Sequence, residues 1–126
     1  MLVVDASAMA ELLLGTPAGR RVTAVVDEQP IIAPQLMIAE VGAVLQAWIR
    51  GRSLDPGRAR AALTDLANLK IHWQDLPPLI ADAWDLQGNL SLYDALYVSL
   101  ARDLSCKLVT CNPRLAHVAP DIALLV

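Results

Sequence analysis

The stretch Leu2-Val3-Val4-Asp5-Ala6-Ser7 decides the fold, because it joins a buried strand directly to a helix. Its apolar run, rich in β-branched residues, is typical of a short strand buried on both faces of a parallel sheet. The helix is predicted over residues 7–14, so Asp5 lies where the strand ends. Ligands of open α/β sheets bind outside this carboxyl edge. Asp5 is therefore a candidate ligand-binding residue, although capping the following helix is an equally ordinary role for it.

The chain has the size and composition of one globular domain, which we expect to span residues 1–126. It is 56% hydrophobic and has a formal net charge of −3. This acidic balance argues against a general nucleic-acid coat protein but allows a metal-assisted nucleic-acid site. An apolar start broken by Asp5 argues against a signal peptide, and no apolar run is long enough to span a membrane. The two cysteines, Cys106 and Cys111, predict free thiols in a cytoplasmic protein.

Apolar runs and helix-start signals alternate along the rest of the sequence. Four further strands are predicted at residues 31–33, 71–73, 108–110 and 122–126. Helices are predicted at residues 17–27, 35–50, 56–68, 78–88 and 92–104, and after Asn112-Pro113. Strands that alternate with one or two helices predict an α/β fold, with a short parallel sheet of four to five strands flanked by helices.

Two carboxylates, Asp5 and Glu40, are predicted to share one edge of this sheet, and a third, Asp94, can lie there too. Asp5 ends the first strand, Glu40 lies in the first turns of the helix after the second strand, and Asp94 lies close to a helix start. The carboxyl ends of parallel strands and the amino ends of the helices that follow them lie on the same edge. Carboxylates brought together repel one another unless a cation balances them. A hard divalent cation with oxygen ligands, Mg²⁺ or Mn²⁺, fits such a cluster.

Each polar residue of this edge also has a purely structural interpretation. Asp94 can form a capping box with Ser91, three residues earlier, and such a box is compatible with metal binding. Glu40 can be a solvated residue that the helix dipole favours near an amino terminus. Thr110 and Asn112 follow a predicted strand and should lie on the same edge. For Asn112, which precedes a proline, capping the next helix is the stronger interpretation.

Four pieces of the sequence, in order and over nearly the whole chain, resemble the PIN domain, and most closely its small ribonuclease toxins of the VapC type. They are Val3-Val4-Asp5-Ala6-Ser7, Ala33-Pro34 with Ala39-Glu40-Val41, Leu92-Tyr93-Asp94-Ala95-Leu96-Tyr97, and Leu108-Val109-Thr110. The resemblance implies a three-layer α/β/α fold and a Mg²⁺- or Mn²⁺-dependent endoribonuclease. It also implies the toxin half of a toxin–antitoxin pair, which acts on RNA, forms a homodimer and binds a cognate antitoxin protein.

The resemblance assigns roles to individual residues of this chain. The family's acidic metal-binding positions match Asp5, Glu40 and Asp94, and its supporting polar positions match Ser7 and Thr110. The family pattern usually has a fourth acid two residues after the threonine, where this chain has Asn112. This departure weakens the expectation of a second metal ion.

The sequence indicates less clearly which surfaces bind the substrate and the partner. The densest basic stretch consists of Arg50, Arg52, Arg58 and Arg60. It can follow an RNA backbone or form an ordinary solvated helix face. Tyr93 can stack on a base, but packing in the core or in a dimer is the favoured interpretation. His72 and His117 match no catalytic pattern and are expected to lie outside the site.

Three functional hypotheses compete at this stage. The first is a metal-dependent ribonuclease, in which a water activated by the cation attacks the phosphodiester. The second is a catalytically weak interaction module of the same fold. A receiver-like phosphorylation domain ranks last, because Asp5 stands alone instead of in an acid pair. Ribonuclease assays with Mg²⁺, Mn²⁺ or EDTA separate the first two, and a small upstream reading frame that encodes a DNA-binding antitoxin would favour the toxin.

Overall fold

The computed structural model describes all of residues 1–126 and shows one sheet of five parallel strands with seven α-helices. The strands are β1 (Leu2–Val4), β2 (Ile31–Pro34), β3 (Ile71–Gln74), β4 (Lys107–Thr110) and β5 (Ala123–Leu125). The helices are α1 (Ala6–Leu14), α2 (Pro17–Val26), α3 (Met37–Arg50), α4 (Pro56–Asn68), α5 (Ile80–Leu86), α6 (Leu92–Asp103) and α7 (Pro113–Val118). The predicted α/β class with a parallel sheet flanked by helices is confirmed.

The strand order is β3-β2-β1-β4-β5, which places the first strand of the chain at the centre. The chain builds outward from β1 on one side through β2 and β3, and then returns to β1 to add β4 and β5 on the other side. Val3 pairs with Ile32 in β2 and with Leu108 in β4. The sheet therefore reverses its building direction between β1 and β4, and such a switch point opens a crevice at the carboxyl ends of the strands.

The central position of β1 explains its uniformly apolar sequence. Val3 and Val4 are fully buried, because strands pair with β1 on both sides and α6 packs against it. Helix α6 has a continuous buried run at residues 95–101 and also contacts β2 and β4. The core is thus built from aliphatic residues without a single phenylalanine. None of the helices combines the length and the apolar character that crossing a membrane requires.

Two element boundaries differ from the predicted ones for local reasons. The second strand was expected to end before Pro34, but β2 includes it. Pro34 is tolerated there because it is paired on one side only. It pairs with Gln74 of β3, and on the other side the pairing of β1 with β2 ends at Val3 and Ile32. Helix α3 begins at Met37 instead of residue 35, because the two residues before it form a turn. Glu40 consequently lies in the first turn of α3.

Candidate active site

A cavity of about 570 Å³ opens at the carboxyl edge of the sheet, beside the switch point. Its lining includes Asp5, Glu40 and Asp94, together with Ser7 and Asn112. The three acids come from three different elements: the junction of β1 and α1, the first turn of α3 and the first turn of α6. The structure therefore brings together the residues that the sequence predicted to share this edge. It also supplies several helix amino termini, which favour negative charge.

Asp5 is the most firmly held of the three acids. Its Oδ1 accepts hydrogen bonds from Ser7 Oγ at 2.6 Å and from the Ala8 N–H at 2.9 Å, and its Oδ2 accepts one from Thr110 Oγ1 at 2.5 Å. The bond from Ala8 makes Asp5 the N-cap of α1. Capping and lining the cavity are therefore not alternatives, because one carboxylate does both.

Ser7 and Thr110 join the Asp5 carboxylate to the end of β4. Ser7 Oγ accepts a hydrogen bond from the Cys111 N–H at 3.1 Å and lies 3.5 Å from Thr110 Oγ1. Thr110 Oγ1 in turn accepts one from the Asn112 N–H at 3.0 Å. Thr110 is completely buried, so it lies behind the cavity wall rather than in it. The two hydroxyl groups thus fix the acid between the ends of two neighbouring strands.

Glu40 is held by a residue that the sequence analysis missed. The Tyr97 hydroxyl donates a hydrogen bond to Glu40 Oε1 at 2.8 Å, and the Tyr97 side chain is almost fully buried. Tyr97 lies three residues after Asp94 in α6, so both face the same side of that helix. This spacing is the signal in the sequence that points to Tyr97 as a second site residue of α6.

The capping interpretation of Asn112 is confirmed, whereas the capping box predicted for Asp94 is only half formed, because Ser91 caps α6 but its N–H makes no hydrogen bond to the Asp94 carboxylate. Ser91 Oγ accepts a hydrogen bond from the Asp94 N–H at 3.1 Å and caps α6. Asn112 Oδ1 accepts one from the Arg114 N–H at 3.0 Å and caps α7. Both residues nevertheless line the cavity. Their caps therefore fix their positions at its wall.

All three carboxylates have pKa values above their ordinary range. Burial is the main cause for each, and the charge of Asp94 further raises the pKa of Asp5 and of Glu40. Hydrogen bonds from hydroxyl groups lower these pKa values without cancelling the effect of burial. The only cation that lowers the pKa of any of the three is Arg114, which acts on Asp94. The cavity therefore holds more negative charge than the surrounding residues balance.

The donor atoms of the cavity fit a hard divalent cation. They are carboxylate, amide and hydroxyl oxygens, the ligands that Mg²⁺ and Mn²⁺ prefer. The three carboxylates do not by themselves form a ready-made metal cage. Mg²⁺ usually keeps several waters and binds through only one or two carboxylates, so a wide acidic cavity suits it better than a tight cage.

The remaining polar candidates lie outside the cavity, except for Tyr93. His72 in β3 and His117 in α7 are exposed and do not line it. Arg58 in the predicted basic stretch donates a hydrogen bond to the Leu13 carbonyl at 3.4 Å, near the end of α1. Tyr93 lines the cavity and is 60% exposed, so its predicted packing in the core is wrong.

The raised pKa of Asp5 predicts how stability depends on pH. A carboxyl group with a higher pKa in the folded protein stabilises the fold below its unfolded pKa, and this contribution is lost as the pH rises through the folded pKa. In EDTA, we expect Asp5→Asn to gain stability relative to the wild type between about pH 4 and pH 7, because asparagine does not ionise. Urea unfolding at each pH measures this difference in the free energy of unfolding. If that free energy depended on pH in the same way in both proteins, a raised pKa of Asp5 would be contradicted.

Comparison with known proteins gives one family for the part of the chain from β1 to α7, which includes the cavity. The model of the family described as PIN domain matches residues 2–120. Ribonuclease VapC1 of Mycobacterium tuberculosis is 39% identical over 122 residues, which cover 95% of this chain and 91% of that protein. Ribonuclease VapC12 of the same organism is 34% identical over 118 residues, which cover 93% of this chain and 91% of that protein.

Solved structures of low sequence identity share the fold. The crystal structure of PAE2754 from Pyrobaculum aerophilum matches with a TM-score of 0.70 at 24% identity, and the match covers 93% of this chain and 84% of that one. A toxin–antitoxin complex from Klebsiella pneumoniae matches with a TM-score of 0.66 at 18% identity, covering 97% of this chain and 95% of that one. The three-layer arrangement is therefore common to all of them.

Proposed function

The chain belongs to the PIN-domain family, as its motifs predicted, and on that premise we propose that it is a metal-dependent endoribonuclease, the toxin of a type II toxin–antitoxin pair. The observation that carries the proposal is the cavity itself, where the buried Asp5 and the half-buried Glu40 and Asp94, from separate elements, face one space without balancing positive charge. The ribonuclease names of relatives that align with nearly the whole chain support the same activity.

In this proposal Asp5, Glu40 and Asp94 hold Mg²⁺ or Mn²⁺. The bound cation supplies positive charge that attracts the RNA phosphodiester and increases the acidity of a water, which is the nucleophile. No side chain of the cavity is suited to replace that water. The Ser7 hydroxyl is engaged with Asp5, and burial together with nearby acidic charge raises the pKa of the adjacent Cys111 thiol.

The chain's own residues keep the acids in place for this reaction. Ser7 and Thr110 donate to opposite oxygens of Asp5, so this carboxylate cannot rotate without losing a hydrogen bond. Tyr97 holds one oxygen of Glu40 and leaves the other free for the cavity. Asn112 adds an amide without negative charge. We therefore propose one well-bound cation, with a second that binds weakly or only together with an RNA phosphate.

The proposal includes a homodimer, a cognate antitoxin and a cytoplasmic location. A structural neighbour described as a toxin–antitoxin complex is consistent with an antitoxin partner. Large apolar side chains are exposed on four helices, α3 to α6, among them Ile38 of α3 at 50%, Trp84 of α5 at 61% and Tyr93 of α6 at 60%. Exposed apolar surface of this kind marks sites where proteins associate. A second copy of the chain and the antitoxin are the proposed occupants.

One observation favours the alternative of a catalytically weak interaction module. The carboxylates do not form a ready-made cage, and a site that binds metal weakly would leave only the partner surfaces functional. The decisive experiment incubates the purified chain with RNA in Mn²⁺, Mg²⁺ or EDTA. Cleavage that requires the divalent ion supports the ribonuclease, whereas intact RNA under all three conditions, with an antitoxin still bound, supports the module.

Metal binding by Glu40 and Asp94 is measurable without any cleavage. Because only the folded chain forms the cavity, Mn²⁺ at a hundredfold excess over its Kd stabilises the protein by about 2.7 kcal/mol, a rise of roughly 10 °C in Tm. Glu40→Gln and Asp94→Asn remove charge with little change of shape, so we expect both to reduce this rise. Asp85→Asn on the exposed side of α5 is the matched control. Equal shifts in all four proteins would remove Glu40 and Asp94 from the proposed ligands, and calorimetric titration of the wild type gives the number of ions.

A further inference from the structure

A chain of three hydrogen bonds connects the Asp5 carboxylate to Arg114. Thr110 Oγ1 donates to Asp5 at 2.5 Å, the Asn112 N–H donates to Thr110 Oγ1 at 3.0 Å, and the Arg114 N–H donates to Asn112 Oδ1 at 3.0 Å. These bonds fix the backbone at Arg114 relative to the acidic cavity. They do not involve its side chain, so the position of Arg114 is set independently of its guanidinium group.

The guanidinium group of Arg114 is exposed and has no partner within the chain. The single ion pair of the structure joins Arg102 to Asp121, and the Arg114 side chain makes no hydrogen bond, since the bond to Asn112 comes from the Arg114 backbone. A structural arginine is normally paired with a carboxylate or with backbone carbonyls, as Arg58 is with Leu13. Arg114 has neither kind of partner, although its positive charge lowers the pKa of Asp94, which lines the cavity.

The substrate of the proposed function has to overcome the negative charge of this cavity. One divalent cation does not neutralise three ionised carboxylates, so an approaching RNA strand still meets net negative charge. A free arginine beside the entrance offsets this repulsion, and its planar donors match two oxygens of a phosphate. Asn112 lines the cavity, whereas Arg114, two residues later in the chain, does not. It is therefore placed to contact RNA next to the reacting position rather than at it.

We propose that Arg114 is a substrate-positioning residue, whose guanidinium binds the RNA phosphate that flanks the one to be cleaved. The inference rests on the proposed ribonuclease function and adds the group that recognises the substrate backbone. It gives the unpaired guanidinium beside the acidic residues of the cavity a role that no contact within the chain explains. Because the contact is to phosphate, it positions RNA without selecting its sequence.

The first test measures RNA binding in EDTA, where the proposed reaction does not proceed. Fluorescence anisotropy with a labelled single-stranded RNA of mixed sequence gives the Kd over a series of KCl concentrations. Loss of one phosphate contact weakens binding about tenfold and reduces the slope of log K against log salt by about 0.7. Arg114→Gln should show both changes, and Arg114→Lys should recover the slope but only part of the affinity.

Lys70→Gln is the control, because it removes the same charge from an exposed residue just before β3, at the opposite edge of the sheet. The Arg114 side chain is exposed and its capping hydrogen bond comes from the backbone, so the variants should fold, as melting curves would verify. Arg114→Gln binding that matches Lys70→Gln in both affinity and slope would overturn the proposal.

Steady-state kinetics in Mn²⁺ separate this inference from the proposed function. We expect Arg114→Gln to raise KM about tenfold with less than about a twofold change in kcat, the pattern of lost ground-state binding. If the wild type does not cleave RNA at all, the proposed function is wrong, whatever the binding data show. If the wild type cleaves and Arg114→Gln retains its KM, the function stands and the role of Arg114 is refuted.

Discussion

Replacing Asp5 with alanine is expected to lower RNA cleavage at least about a hundredfold. A metal-bound site supplies several kcal/mol of transition-state stabilisation, and each 1.4 kcal/mol corresponds to a factor of ten in rate. Asp5 is the best-held of the three acids and lies at the centre of the hydroxyl clamp formed by Ser7 and Thr110. Its loss removes the anchor of the proposed cation. Initial rates on a labelled RNA at saturating Mn²⁺ provide the measurement.

The fold should survive this change, since two effects on stability oppose each other. Alanine removes a buried charge whose pKa burial raises, but it also leaves the Ala8 N–H and two hydroxyl groups without their acceptor. Asp5→Asn provides the companion variant, because an amide oxygen still caps α1 without carrying charge. Both variants should be inactive and non-toxic in cells. A folded Asp5→Asn protein with wild-type activity after EDTA treatment and reloading with Mn²⁺ would refute the assignment.

Gly19→Ala is expected to destabilise the protein by at least about 3 kcal/mol, the upper range for overpacking. Helices α1 and α2 cross so closely at Gly19 that a Cβ atom there would overlap the backbone carbonyl of Glu11. Backbone atoms within a helix cannot move aside as a flexible side chain can, so the two helices must separate. Urea unfolding gives the change in free energy. Because Asp5 caps α1, metal binding should weaken in parallel.

Gly42→Ala is the natural control for this prediction. Gly42 lies within α3, and a Cβ atom added there would meet no heavy atom within 4 Å. The same substitution should stabilise the fold by about 0.4–1 kcal/mol, because alanine reduces the conformational freedom of the unfolded chain. Opposite signs at the two glycines are expected. If Gly19→Ala were as harmless as Gly42→Ala, the close crossing of α1 and α2 would be incorrect.

The sheet and the acidic edge could be predicted because they depend on local patterns. A buried parallel strand needs a short apolar run, and the residue after such a run must lie at the carboxyl edge wherever the strand sits in the sheet. Asp5 could therefore be placed from six residues of sequence. Glu40 followed by the same rule, because it lies in the first turn of the helix after β2, whereas the helix of Asp94 follows another helix, so the rule did not fix its place. The helix caps at Ser91 and Asn112 could be predicted equally well, because a cap depends only on the residues at the start of its helix.

The parts that escaped prediction depend on contacts between distant segments. The apolar Ile38 of α3 is 50% exposed, and helical periodicity alone does not show how much of an apolar helix face other elements cover. The bond of Tyr97 to Glu40 joins residues 57 positions apart. Predicting the overlap at Gly19 requires the exact crossing of two helices. Predicting that the Arg114 side chain has no partner requires the positions of all residues around it. No local pattern in a single sequence carries that information.

The pairing of β1 with β4 also determines when the acidic cavity can form during synthesis of the chain. Asp5 and Thr110, whose side chains are joined by a hydrogen bond, are 105 residues apart, so Thr110 is synthesised long after Asp5. Until β4 emerges, one side of β1 has no neighbour, and Asp5 lacks its clamp. A prematurely released polypeptide therefore carries an open strand edge that favours aggregation or degradation, and it has no assembled site. The acidic cavity can therefore assemble only after β4 has been synthesised.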